Sequence, residues 1–503
     1  MSLQEFRASP WKISHRAYEG SSFNIRPAPE FATAEVVLAS TYRASGFHGY
    51  AERDVPQAGR NLDRAASKNV PNSGLGQISS ETWRTIIYGV MESPKRPKQS
   101  SKRFLQLCPL VPDVSLYSGS ARLVGNSWNP GLLVERMIQM GSESAAGAAK
   151  VWNELHLGLS VRDDDDVWAR WLQAEFERRR DSVMSWQSSP ISAETTLPEG
   201  EGRGLRFPSL RFVRDLSAVL RAKPFMTRRQ WVSLLESILR LGTTAHVLWL
   251  CDVNDRLWRD TARVLRHEAS APLEEAVRST IVGGHHQRLV YGQPALPIVR
   301  DLASRYLEAR LGLNLTLWHL SSTGFEIESM SSVADLARFL RIVEERRETM
   351  GEILSDLERL TDEHTRTLTC KKGIGANLME FCRYTMGQRE TADPNLRGYD
   401  QGYLLKKRAD YKSAPWIVSL GPAALLALVH CCLEEVAGPR SVQRFCEHLA
   451  WYGLDVDRDT VAKSDLGKNL RMLGLVLDSP DAESGMLLVP PFELAVSAVG
   501  RVG

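Results

Sequence analysis

Residues 227–242 read Thr-Arg-Arg-Gln-Trp-Val-Ser-Leu-Leu-Glu-Ser-Ile-Leu-Arg-Leu-Gly. Thr227 followed three residues later by Gln230 is a capping-box pattern, in which each side chain satisfies the other's backbone N–H at a helix start. Trp231, Leu234, Leu235, Ile238 and Leu241 then recur at the spacing of one helical face. Gly242 is expected to stop that helix. The same spacing extends on both sides. Phe212, Leu216, Val219 and Leu220 share a face upstream, and helical patterns follow near Ala245–His267, Leu273–Val282, Ile298–Leu311 and Val333–Leu360. Strand alternation is nearly absent, so residues 207–365 are expected to form an all-helical domain. No fixed repeat period marks a solenoid.

Residues 1–104 are rich in Gly, Ser, Pro and Ala, with aromatic islands at Trp11, Phe23, Phe47 and Tyr50. They are expected to be irregular, with short helices near Ala32–Ser45 and Glu81–Val90. A basic stretch, Pro94–Phe104, carries Lys95, Arg96, Lys98, Lys102 and Arg103 and no acid. It reads either as a solvated linker or as a phosphate-contacting arm. Residues 105–187 return to helical spacing, with Leu132, Val134, Met137 and Met140 followed by Val151, Trp152, Leu155 and Leu157. The acidic run Asp163–Asp166 precedes Trp168, Trp171, Leu172 and Phe176, where carboxylates suit the positive end of a helix dipole. Residues 188–206 mix Ser, Pro, Gly and charge without an apolar period and are expected to be a linker between domains.

The chain of 503 residues is long enough for two or three cores, and a net charge of +3 leaves any nucleic-acid surface local. Seven cysteines without a Cys-x-x-Cys pair fit reduced thiols rather than a disulfide framework or a structural zinc site. Met1–Trp11 lacks the apolar core of a signal peptide. The longest apolar stretch, Ile417–Leu433, holds Gly421, Pro422 and His430 and is too short to span a bilayer. A cytoplasmic protein with no membrane partner is expected.

Motifs for catalysis are missing. Lys371-Lys372-Gly373-Ile374-Gly375 lacks the third glycine of a dinucleotide fingerprint, and Gly467-Lys468 is followed by Asn469, not by the Ser or Thr of a Walker A loop. The adjacent His285 and His286 lack the four-residue spacing of helical metal ligands, and His364, His430 and His448 stand apart. No Glu-x-Lys, His-x-Lys or Gly-x-Ser-x-Gly occurs. No cofactor, metal or catalytic residue is expected, although a site assembled from distant carboxylates would leave no local motif.

Residues 366–414 form a basic, aromatic belt. Between 366 and 412, ten Lys and Arg stand against five acids, a local excess of +5, interleaved with Phe381, Tyr384, Tyr399, Tyr403 and Tyr411. Cations release counterions at phosphates and aromatics stack on bases, so Lys371, Lys372, Arg383, Lys406, Lys407, Arg408 and Lys412 are candidate nucleic-acid contacts. The stretch from Gly398 to Trp416 is expected to be an ordered loop held by Tyr403 and Trp416.

Residues 415–503 close the chain. Helices are expected at Ala423–Val436, at Ser441–Tyr452 (burying Val442, Phe445 and Leu449) and from Ser464, with Leu466, Leu470 and Leu473 inward. A hairpin follows, Leu475–Asp478 with Met486–Val489. Three helices and a two-stranded wing resemble a winged-helix domain, a helix-turn-helix variant. The resemblance implies that the third helix faces the major groove, with Lys463, Lys468, Asn469 and Arg471 outward. Asp455, Asp457, Asp459 and Asp465 flank that helix, and Asp478, Asp481 and Glu483 sit at the wing, which leaves a protein partner equally open.

The fold class expected is therefore mainly α: a multi-domain helical protein ending in a winged-helix-like domain. The whole chain, motif-poor and helical, with Leu473-Gly-Leu-Val-Leu-Asp-Ser-Pro-Asp-Ala-Glu-Ser-Gly-Met486 toward its end and the Gly402-Tyr-Leu-Leu-Lys-Lys-Arg408 loop upstream, resembles accessory subunits of bacterial anti-phage defence systems. That resemblance implies a partner-dependent role in sensing or handling foreign DNA. The reading adopted is a non-catalytic DNA-engaging scaffold working with double-stranded DNA and with proteins encoded nearby, the 209–365 body holding the partners. A pure protein-interaction subunit and an enzyme such as a metal-dependent nuclease are the alternatives.

Overall fold

The computed structural model describes residues 2–25, 29, 32–48, 78–94, 107–118, 128–179, 186–191, 197, 202, 204–283, 288–396, 398–434, 436, 438–478 and 486–492. The basic stretch around Lys95–Arg103, the His285-His286 pair and the wing turn with Asp481 and Glu483 lie outside the described residues. Among the described residues helix outweighs strand, 62% to 5%, so the fold is mainly α.

One element organises the rest. A helix of 38 residues, Arg228–Leu265, opens on the expected Thr227–Gln230 capping box and extends about 57 Å at 1.5 Å per residue. Gly242 does not stop it. A Cβ at that position would collide with the buried Phe212 ring and lie 3.0 Å from the Met137 methyl. Glycine is used here for close approach of helices, which outweighs its helix cost of about 1 kcal/mol. The two helices expected on either side of Gly242 are therefore one.

Every residue from Ile238 to Asp255 is buried, so the middle of this central helix is enclosed on all sides. Its neighbours are Leu296–Ser322, Pro208–Ala222, Pro422–Leu433, Val333–Arg346, Ala34–Ser45 and Gly373–Met386. The helical pattern expected over 333–360 breaks at the tight turn Arg347–Thr349 and resumes as Ile353–Glu363. Buried polar groups must find partners, and those of the central helix find them on distant segments. Asn254 donates to the Phe23 carbonyl at 2.7 Å and accepts from the Tyr18 hydroxyl at 2.9 Å. His246 Nδ1 meets the Ser209 hydroxyl at 2.9 Å.

Upstream, helices Pro130–Gly141, Ala145–Leu159 and Val167–Arg179 follow in order. Leu132, expected on the inner stripe, is 48% exposed, and Leu133 and Ile138 are buried instead. The acidic run does cap a helix, with Asp166 accepting from the Ala169 N–H at 2.9 Å. Asp165 does more. It pairs with the buried Arg228 at 3.0 Å and with Lys223 at 3.1 Å, fastening this region to the start of the central helix. Across the stretch expected as a linker, 188–206, Pro208–Ala222 packs on Pro130–Gly141 and a single core of buried residues is continuous. Ser189 donates to the Ser45 carbonyl at 3.1 Å, and its own carbonyl accepts from Trp152 at 3.0 Å.

Among the described residues, the strands all lie in the C-terminal half. β1 (Leu289–Val290), from the loop before Leu296, runs parallel to β5 (Leu454–Asp455), and β2 (Leu405–Lys407) pairs antiparallel with β3 (Trp416–Val418). A bridge between Tyr291 and Val418 joins the two pairs. The three helices expected at the C-terminus are Pro422–Leu433, Gln443–Ala450 and Asp465–Met472, the last capped by Ser464. A short helix, Arg458–Lys463, precedes the last. The expected hairpin is β6 (Val476–Asp478) with β7 (Met486–Leu488). β4 (Arg440–Ser441), which the sequence did not suggest, pairs with β7 to complete a sheet in the order β4-β7-β6.

Replacing Gly242 by Ala tests this packing. The gain in helix propensity is about 1 kcal/mol, but overpacking against fully buried rings costs about 1–3 kcal/mol. Urea denaturation should show a net loss of stability. A variant as stable as the parent would mean that Phe212 has room to move aside.

Candidate functional site

The expected nucleic-acid residues fall into two groups. Lys406, Arg408 and Lys412 are exposed on the hairpin of β2 and β3, with Arg408 reaching the Gly292 carbonyl at 3.3 Å. Lys371 and Lys372 are exposed at the start of helix Gly373–Met386. Lys463 and Lys468 are exposed but lie beside acids, Asp459 at 2.9 Å and Asp465 at 3.4 Å. Arg471 is exposed and Asn469 half-buried on the same helix, whose Leu466 and Leu470 are fully buried. Leu473, expected inward, is 37% exposed.

Arg383 and Lys407 face inward instead. Lys407 forms an ion pair with Glu390, Arg383 lies 3.8 Å from the same carboxylate, and both cations sit over the Trp416 ring. Cations over an indole face are held there by its quadrupole, so these two belong to the fold of the hairpin. The belt's aromatics correct the expectation too. Phe381 packs edge-on against Trp128 and is buried, as is Tyr403, which lies against Gly421. Tyr411 alone among the five is exposed, at 59%, while Tyr384 and Tyr399 are half-buried. Tyr403 and Trp416 do hold an ordered structure, which is the strand pair.

The strongest concentration of charge was not legible as a motif. Arg240, on the central helix, is 1% exposed and makes a two-pronged ion pair with Asp400, at 2.7 and 3.1 Å. It also donates to the carbonyls of Thr385 at 2.7 Å and Gly387 at 3.0 Å. Asp400 in turn accepts from the N–H groups of Arg389 at 2.9 Å and Gly402 at 3.1 Å. Arg389 is buried against Glu35 of the helix Ala34–Ser45, and the Ser93 hydroxyl donates to the same carboxylate at 2.6 Å. Glu236, one turn before Arg240, accepts from it at 3.3 Å.

This network lines a cleft of about 350 Å³. One wall is a stripe of the central helix, Arg229, Ser233, Glu236 and Arg240. The second is Thr33–Glu35 with Cys108, and the third runs from Tyr384 to Gly402. The two glutamates differ sharply. Burial opposes the charge of Glu35, but the Arg389 guanidinium and Ser93 overcome it and hold the carboxyl down at about 2. Burial pushes Glu236 up to about 8, and the charges of Glu35 and Asp400 add to it against the pull of Arg240. Opposed values for neighbouring carboxyls are a mark of functional clefts. No group of three or more metal-ligating side chains occurs among the described residues. The side chains that line the cleft offer hydrogen bonds and proton exchange. The absent sequence signal is separation: residues 35, 236 and 400 share no local pattern, and the charges of Glu236 and Arg240 inside an apolar helical run are the one feature that points to the place.

A further buried centre is structural. Asp215 accepts from Tyr452 at 2.6 Å and Arg211 at 2.8 Å and lies 2.9 Å from His448. His430 meets the Ala218 carbonyl at 3.1 Å. His364 stands edge-on to Trp11. All seven cysteines are free, and five are buried. No described helix is long and apolar enough to cross a membrane.

No protein-family model, curated protein or solved structure matches this chain.

Glu236 gives a test of the cleft's electrostatics. The folded chain keeps this proton to about 8, whereas the unfolded chain releases it near the ordinary value of about 4.3. Between those values the folded state binds more protons, so Glu236 makes stability decline as pH rises. In Glu236→Gln that decline should be absent, and the melting temperature should fall less between pH 5 and pH 8. Parallel profiles for the two proteins would refute the raised value.

Proposed function

We propose that this chain is a non-catalytic, DNA-engaging accessory or scaffold subunit of a bacterial multi-protein complex, of the kind that serves anti-phage defence. The observation that carries the reading is the C-terminal unit. Apart from β5, its order is helix, strand, helix, short helix, helix, strand, strand, and its first strand lies beside its last. With the short helix Arg458–Lys463 set aside as an addition, a winged-helix domain has this order, and its last helix is the one that enters the major groove. Here that helix is fixed by the buried Leu466 and Leu470 and turns Lys468 and Arg471 to solvent. Lys406, Arg408 and Lys412 supply a second exposed basic edge. The segment 289–295 links the two regions: Leu289 and Tyr291 donate to Gly453 and Asp455 on one side, while Gly292 and Ala295 donate to Val418 and Trp416 on the other. Phosphate contacts would come from the hairpin and base contacts from Asn469 and Arg471.

A second reading has its own observation. Met472 is 77% exposed and Leu477 53%, beside Leu473 on the same unit. Apolar side chains left in water at the end of the last helix and on β6 favour a protein partner, with the unit acting as an interaction module.

Fluorescence-anisotropy titration against a duplex of about 30 base pairs separates these readings. DNA engagement predicts an affinity that falls steeply with salt. Every phosphate left without its cation reduces the log–log salt slope by about 0.9. Lys406→Ala/Arg408→Ala/Lys412→Ala should therefore reduce it by about 2–3. Lys407 stays in place, because Glu390 and Trp416 engage it. Absence of binding at low salt would sink the DNA reading and leave the protein-partner reading, to be pursued by pull-down with products of neighbouring genes.

A further inference from the structure

The cleft between the central helix, Glu35 and the 384–402 segment has a role that DNA engagement does not supply. We propose that it binds the oxyanion of a small organic anion, a phosphate monoester or a carboxylate, between the guanidinium of Arg229 and the carboxyl of Glu236.

Size comes first. A volume of about 350 Å³ lies in the range of small-molecule sites and is too narrow for a duplex. Charge comes next. Of the three arginines lining the cleft, two are neutralised within the fold, Arg240 by Asp400 and Arg389 by Glu35. Arg229 sits at the mouth and is exposed. The first turn of its helix contains no acid, and Arg229 makes no ion pair among the described residues. Asp400 and Glu35 are committed to their guanidiniums, so they offer an incoming cation little.

Glu236 decides the sign of the ligand. It shares the Arg240 guanidinium with Asp400, which holds it closer, at 2.7 Å against 3.3 Å for Glu236. With its proton retained to about 8, it is mostly protonated at about pH 6.5, and its second oxygen can donate a hydrogen bond. A carboxylic acid kept neutral by its surroundings so that it donates to an oxyanion is an established device. Arg229 and Glu236 lie seven residues apart on one face of a helix, about 10 Å along its axis. Both line the same cleft, and an extended arginine and a carboxyl on that face would close the gap around one oxyanion. Gln230, Tyr384 and Gln401 line the space left for the organic remainder.

The test is calorimetric titration of the full chain with glycerol 3-phosphate, with acetate and with methylammonium, at about pH 6.5 and about pH 9. The expected result is binding of an anion at the lower pH that weakens about tenfold or more at the higher, where Glu236 ionises. A phosphate monoester gains negative charge over this interval, so its weakening would run against its own titration. Preference for glycerol 3-phosphate or for acetate identifies the oxyanion. Glu236→Gln, neutral at all pH and still a donor, should bind at both pH values. Arg229→Ala should lose about tenfold at either, with an unchanged melting temperature. Binding of methylammonium in place of the anions would overturn the proposal. So would an absence of anion binding at millimolar concentration, or anion binding indifferent to both substitutions. None of these outcomes depends on DNA, so the proposal stands or falls separately from DNA engagement.

Discussion

A guanidinium buried in the middle of a helix must be neutralised where it lies, and the Arg240–Asp400 pair is the constraint on which the C-terminal half of the molecule is built. Arg240 lines the cleft yet is only 1% exposed, so its charge has to be met by the protein. Its donors therefore dictate the course of the chain between 385 and 402: two carbonyls at Thr385 and Gly387, then the Asp400 carboxylate. Asp400 fixes the same loop from its other side by accepting from Arg389 and Gly402. Replacing such a pair by apolar residues is often harmless, whereas removing one partner costs about 3–5 kcal/mol, since a bare charge stays buried. The network thus acts as a specification of where the loop goes more than as a source of stability.

The hairpin follows directly from that placement. Leu404 donates to the Met386 carbonyl at 2.8 Å and Gln388 to the Leu405 carbonyl at 2.7 Å, so β2 starts where Arg240 has left the chain. β3 pairs with β2, and the 289–295 segment is laid along β3 and β5 in turn. Two further buried aspartates repeat the principle. Asp165 ties the upstream helices to Arg228 at the first turn of the central helix. Asp215 ties Pro208–Ala222 to the C-terminal unit through His448 and Tyr452. Each centre joins segments far apart in sequence, and each lies where helices of different regions meet.

Local chemistry is legible in the sequence, and long-range neutralisation is not. The Thr227–Gln230 box, the Ser464 cap and the period of Trp231 to Leu241 are decided within a turn or two of helix, and the structure keeps all three. Gly242 carries an ambiguous signal, since a glycine that ends a helix and one that admits a neighbouring ring look alike until Phe212 is in place. The strands β2, β3 and β4 are two or three residues long, too short to show alternation. Belt aromatics such as Phe381 and Tyr403 can be assigned to core or surface only with their partners Trp128 and Gly421 known. Of the candidate site, the outward Lys406, Arg408, Lys468 and Arg471 are visible as charge, whereas Glu35, Glu236 and Asp400 need the fold to become neighbours.

The placement of charge separates two kinds of cation. Arg228, Arg240 and Arg389 are buried, each against an aspartate or glutamate, and their exchange with any outside anion would leave that carboxylate stranded. Lys371, Lys406 and Lys412 are exposed and lose mainly hydration on meeting a phosphate. An outside anion would therefore meet the lowest cost at the exposed lysines of the hairpin. Arg229 lies between these classes. It is exposed like the second group, yet it opens onto a cleft whose inner wall belongs to the first, and it shares that cleft with Glu236, whose proton burial holds more tightly. Such a position suits a ligand small enough to enter, since a larger anion would meet Arg229 at the mouth and never reach Glu236.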